Sequence, residues 1–144
     1  MNLSRDRFLP RAKPFVLCFV ASCCAVAAAR SVWDGVYTNE QAKRGRTTYA
    51  ETCLKCHGEN LGGGEAGPAL AGDEFRGKWN GRTAGDLFGL VRKTMPSDDP
   101  GGLSNREYSD LVAYIFSVNE FPVGQNELSR DVSVLNEIRI EAKR

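Results

Sequence analysis

Five consecutive residues, Cys53-Leu54-Lys55-Cys56-His57, constrain this chain more than any other feature. They set two thiols three positions apart with an imidazole directly after them. That is the C-x-x-C-H spacing of a covalent haem-attachment site, where each thiol forms a thioether with a vinyl group and the histidine gives a nitrogen to iron. Two other chemistries compete for the same residues. A structural zinc site closes with four ligands, and after residue 29 the chain holds no further Cys or His, so zinc would need a carboxylate or a water. A disulfide-forming dithiol is the second rival, but such C-x-x-C motifs sit beside a βαβ pattern, which is missing here.

His57 is the single histidine among 144 residues, so bis-histidine ligation within one chain is excluded. Met95 is the one methionine after residue 29. It ends a helical pattern and precedes Pro96, so a thioether sulfur can be held in a fixed loop as the other axial ligand, a choice that raises the reduction potential. The plain alternative is a methionine that fills a gap in the core. A metal-bound histidine usually donates its outer ring N–H to a carbonyl or carboxylate, and Pro68 in Gly67-Pro68-Ala69-Leu70 is placed to offer its carbonyl. Trp79 is a candidate donor to a haem propionate or an ordinary packed aromatic. Tyr49, Phe75, Leu87 and Leu90 are candidates for the apolar wall.

The start of the chain has the form of a targeting segment. Arg5, Arg7, Arg11 and Lys13 precede an apolar stretch from Phe15 to Ala28, the order of a secretory signal peptide and shorter than the roughly 20 residues that cross a bilayer. Ala27-Ala28-Ala29 predicts cleavage before Arg30. Val20-Ala21-Ser22-Cys23 offers a rival, a lipobox whose cysteine would carry a lipid and anchor the protein to the membrane. Export to the periplasm suits haem attachment on the far side of the cytoplasmic membrane. Without residues 1–29 the chain keeps 15 Lys and Arg against 17 Asp and Glu, far from the basic balance of a nucleic-acid binder.

The remainder suits one compact unit, given roughly 100 to 200 residues per domain. Residues 30–38 read as an irregular lead-in with two aromatic anchors, 39–121 as the domain and 122–144 as a polar tail with a weak apolar series: Val132, Val134, Leu135, Ile138 and Ile140. Three helices are expected. Thr38 and Gln41 have capping-box spacing for a helix reaching about Glu51. Thr83 and Asp86 repeat the signal for a helix ending at Met95-Pro96, and Ser104 and Glu107 open the clearest one, with Tyr108, Leu111, Val112, Ile115 and Asn119 on one face. The Gly-rich stretch 58–81 reads mainly as loop. It lacks the GKS or GKT ending of a phosphate loop. Gly45, inside the first helix at a cost of about 1 kcal/mol against alanine, marks a close helix crossing. No strand pair is expected.

Taken together, Cys53 to His57, Gly67-Pro68-x-Leu70, Met95-Pro96 and the last helix with Glu107-Tyr108 to Tyr114 resemble a class I c-type cytochrome over about Gln41 to Val118. The resemblance implies an all-α cytochrome c fold of three main helices around one covalent haem c. It also implies that Gly45 or Tyr49 meets Tyr114 or Ile115 where the first and last helices cross. The segment from Asn119 to Leu128 is similar to the tail of small cytochromes associated with quinoprotein alcohol dehydrogenases. That similarity implies a one-electron carrier, not an enzyme, between such a dehydrogenase and a terminal oxidase of a respiratory chain. Two other roles stay open: an obligate haem subunit of a dehydrogenase complex, and a haem enzyme or gas sensor whose methionine ligand is labile because Gly101-Gly102 loosens the following loop.

Overall fold

The computed structural model describes residues 30–142. The leader, with its proposed cleavage site and Cys23, lies outside the described residues. Arg30–Ser31 form a two-residue strand β1, followed by a single 3-10 turn over Val32–Asp34. The helices are α1 (Asn39–Thr52), α2 (Leu54–His57), α3 (Gly72–Trp79), α4 (Ala84–Thr94), α5 (Asn105–Val118) and α6 (Val132–Leu135), and Ile138–Arg139 form strand β2. No helix among the described residues is long and apolar enough to cross a membrane.

The three expected helices are α1, α4 and α5. Reciprocal capping boxes start two of them. The Asp86 backbone N–H donates to Thr83 Oγ1 at 3.0 Å and the Thr83 N–H to Asp86 Oδ2 at 2.9 Å; the Ser104 N–H donates to Glu107 Oε2 at 2.7 Å. At α1 only half of the expected box forms. Thr38 Oγ1 accepts from the Gln41 N–H at 3.2 Å, but the Gln41 side chain turns inward. It is buried, donates to Ser109 Oγ and to the Leu128 carbonyl at 3.1 Å each, and accepts from the Leu128 N–H at 2.6 Å. Tertiary contacts outcompete the cap because they satisfy a buried amide that would otherwise be costly.

Gly45 lies at the crossing of α1 and α5. A Cβ there would collide with the Asp110 carbonyl and with Tyr114 Cβ, and Tyr49 packs on Tyr114 with ring centroids 5.4 Å apart. Arg44 binds Asp110 through two nitrogens at 2.7 and 2.9 Å beside that contact, so a buried carboxylate is paired where the two backbones meet.

Residues 58–81 are not all loop, because α3 closes the segment. Phe75 and Trp79, four apart, are both buried on the inner side of this helix. Its acidic first turn and basic last turn suit the helix dipole. The glycines at 72 and 77 hid that short amphipathic pattern.

The tail is built into the core. Leu128, Leu135, Ile138 and Ile140 are all at most 2% exposed. β2 pairs in parallel with β1, which is the strand pair that sequence patterning did not show, and its continuation bonds to the turn before α4: the Ile140 N–H donates to the Arg82 carbonyl and the Gly81 N–H to the Ile140 carbonyl, both at 2.8 Å. The lead-in folds against the end of α5, where Trp33 meets Phe121 edge-on at 5.0 Å and the Tyr37 hydroxyl donates to the Phe121 carbonyl at 2.6 Å.

Candidate functional site

α1 hands the chain directly to α2. Cys53 is the last cap of the one and the first of the other, and its carbonyl accepts from the Cys56 and His57 N–H groups at 3.1 and 3.0 Å. This tight turn brings Cys53, Cys56 and His57 to one cavity. Both thiols are free. Burial pushes the Cys53 thiol up, the wrong direction for the activated thiolate of a dithiol oxidoreductase. Among the described residues no group of three or more His, Cys, Asp and Glu side chains is placed to hold one metal ion, so the zinc reading finds no ligand set.

His57 is 6% exposed. Its Nδ1–H donates to the Pro68 carbonyl at 2.8 Å, as expected, which fixes the tautomer and leaves Nε2 with a free lone pair. Gly67 allows that approach, since a Cβ there would come within 3.0 Å of the imidazole ring. Behind the histidine the loop is laced together: the Gly63 N–H donates to the His57 carbonyl at 2.9 Å, and the Leu61 carbonyl accepts from Leu70 and Ala71 at 2.7 and 3.1 Å. The Tyr49 hydroxyl donates to the Gly58 carbonyl at 2.7 Å. Burial, with Cys53 and Tyr114 nearby, pushes that phenol up to about 12, so it remains a neutral donor.

Met95 lines the same cavity. It caps α4 through its N–H to the Val91 carbonyl at 2.8 Å, and its own carbonyl accepts from the Tyr108 hydroxyl at 2.7 Å. Gly101 and Gly102 shape the following turn more than they loosen it. Gly101 has a φ of +81°, and a Cβ on Gly102 would strike the Asp99 carboxylate. Across the cavity rim Lys55 Nζ meets Asp98 Oδ2 at 2.9 Å.

Pro68, Trp79, Tyr49, Leu87 and Leu90 also line the cavity, as the sequence suggested. Phe75 does not. It sits fully buried beside Trp79, with ring centroids 6.2 Å apart, because its place on α3 points it into the core. Sequence reasoning missed Val91, Leu111, Ile115 and Lys78 as lining residues. Val91 follows Leu87 at helical spacing, and Leu111 and Ile115 share the apolar stripe of α5; the pattern marked them as inward-facing without saying toward what.

The residues fit a covalently held haem: two thiols, an imidazole with its outer nitrogen committed, and a thioether all face one mainly apolar cavity. A family model described as cytochrome c oxidase, cbb3-type, subunit III matches residues 40–115, just over half of the 144 residues. That span takes in the C-x-x-C-H motif, Met95 and most of α5. Searches of curated proteins and of solved structures find no match.

Proposed function

This chain belongs to the cytochrome c domain family described as cytochrome c oxidase, cbb3-type, subunit III, and from that premise we propose that it is an exported mono-haem electron carrier that moves one electron at a time toward an oxidase. The convergence of Cys53, Cys56, His57 and Met95 on one cavity carries this reading. When bound, haem supplies an iron that accepts and returns a single electron. Cys53 and Cys56 would hold the macrocycle by thioethers, and His57 Nε2 and the Met95 sulfur would bind its iron.

The chain's own part is to position and to exclude water. The Pro68 carbonyl orients His57 and strengthens it as a donor. Tyr108 fixes the backbone of Met95, and Leu87, Val91, Leu111 and Ile115 give the site an apolar lining that sets its potential. With both His57 and Met95 committed to the iron, the proposed reaction would be electron transfer alone. A quinoprotein dehydrogenase is the proposed donor, on the similarity of the segment after Asn119.

A second reading, a haem subunit held in a larger complex, is favoured by the match to a family described as an oxidase subunit. The inward packing of Leu128, Leu135, Ile138 and Ile140 favours the free carrier, since the tail's apolar residues are spent inside the molecule. Sedimentation of the mature protein separates the two.

The function is tested by absorption spectra in both oxidation states, after maturation in a periplasm with haem-attachment machinery, beside Met95→Ala. Covalent low-spin haem with a sulfur-to-iron charge-transfer band, lost in the variant, is expected. High-spin haem that binds cyanide or carbon monoxide rapidly in the unsubstituted protein would turn the reading to an enzyme or sensor.

A further inference from the structure

Asn119 ends α5 and is buried, 2% exposed. Its side-chain amide is fully engaged. Nδ2 donates to the Leu70 and Ile115 carbonyls, both at 2.9 Å, and Oδ1 accepts from the Gly72 N–H at 3.1 Å. Two carbonyls on one side and an N–H on the other permit a single orientation of the amide, since the flipped group would set its oxygen against two acceptors. The bonds to Leu70 and Gly72 reach back 49 and 47 residues to the segment that carries Pro68. There the His57 ring bonds to the Pro68 carbonyl at 2.8 Å. Ala71, the cap residue of α3, makes no side-chain cap bond of its own, so Asn119 also supplies an acceptor at the start of that helix.

The Pro68 carbonyl is therefore set between two holds. On one side Gly63 packs so closely on Pro68 and Ala69 that no Cβ would fit; on the other, Asn119 pins Leu70 from the end of α5. Resting on the haem reading above, we propose that Asn119 is a positioning residue for His57: by holding Leu70 it keeps the Pro68 carbonyl on the imidazole Nδ1–H, although its own side chain does not border the cavity. A histidine that gives its outer N–H to a well-placed carbonyl is a stronger donor through Nε2, and a stronger donor favours oxidised iron. Asn119 thus lowers the potential, acting through the backbone from the far end of α5.

Spectroelectrochemical titration of the haem-loaded protein tests this with Asn119→Ala and the milder Asn119→Ser, whose hydroxyl is too short to reach Leu70. Tyr37→Phe is the control, because it also removes a buried hydrogen bond beside the end of α5, the one to the Phe121 carbonyl. In both Asn119 variants the ratio of reduced to oxidised protein at a fixed potential should rise about threefold, ~30 mV for a one-electron couple. The His57 Nδ1–H, followed by NMR in the reduced protein, should exchange with solvent faster. Tyr37→Phe should change neither. If either reading in the Asn119 variants stays with that of Tyr37→Phe, or if both variants fail to retain covalent haem, Asn119 serves folding only and the assignment is overturned, with the carrier function left standing. Absence of covalent haem from the unsubstituted protein would overturn both.

Discussion

The segment behind His57 and the segment after Met95 are held in different ways. The first is fastened internally: His57 to Pro68, Gly63 to His57, Leu61 to Leu70 and Ala71, with Leu61 fully buried. The second has two short turns of its own, the Asp99 N–H on the Pro96 carbonyl at 3.1 Å and the Gly102 N–H on the Asp99 carbonyl at 3.0 Å, and is tied to the rest by the Tyr108 hydroxyl on the Met95 carbonyl and the exposed Lys55–Asp98 pair. Residues 97–102 are all exposed. Of the two proposed axial ligands, methionine is therefore the one whose hold can be adjusted without disturbing the core.

The largest effect is expected on the fastened side. Gly63 has a φ of +74°, and a Cβ there would press on the backbone at Pro68 and Ala69. Gly63→Ala should lower stability by about 2–4 kcal/mol in denaturant unfolding, whereas Gly64→Ala, with nothing within 4 Å, should stay within about 0.5 kcal/mol. Equal losses would show that the loop is not fastened as described. Next in size is Tyr108→Phe, which removes the hydroxyl on the Met95 carbonyl. It should cost about 0.5–1.5 kcal/mol and speed cyanide binding by the haem-loaded protein; an unchanged rate would mean that Met95 is held without Tyr108. The smallest effect belongs to Asp98→Asn. Lys55 and Asp98 are exposed to solvent, so their attraction is screened by salt. Cyanide entry should be modestly faster than in the unsubstituted protein at low salt, and the two should converge at high salt. A difference that persisted in salt would point to a structural rather than an electrostatic role.

Local signals in the sequence were read well where one segment settles its own conformation. The boxes at Thr83 and Asp86 and at Ser104 and Glu107 form because both partners lie within four residues of each other. The attachment motif was legible because its chemistry is contiguous, and Gly45 because an unfavourable residue inside a helix needs a neighbour to explain it. What stayed hidden depends on distant partners. Gln41 leaves its cap for Ser109 and Leu128, and β2 finds β1 across more than a hundred residues. Neither choice is encoded within a sequence window. α3 was obscured for a third reason: eight residues with two glycines carry too little pattern, and the burial of Phe75 and Trp79, which helps stabilise the helix, depends on neighbours elsewhere in the chain.

α5 touches both sides of the cavity. Tyr114 packs at the crossing with α1, which leads into Cys53, while Tyr108 holds Met95 and Leu111 and Ile115 form lining between them. A single rigid rod thus serves as the gauge for the spacing between the two walls. One residue inserted between Tyr108 and Leu111 would turn one half of that rod by about 100° against the other, so Tyr108 and Tyr114 could no longer both find their partners. The protein can vary its side chains along α5, but it cannot vary the count.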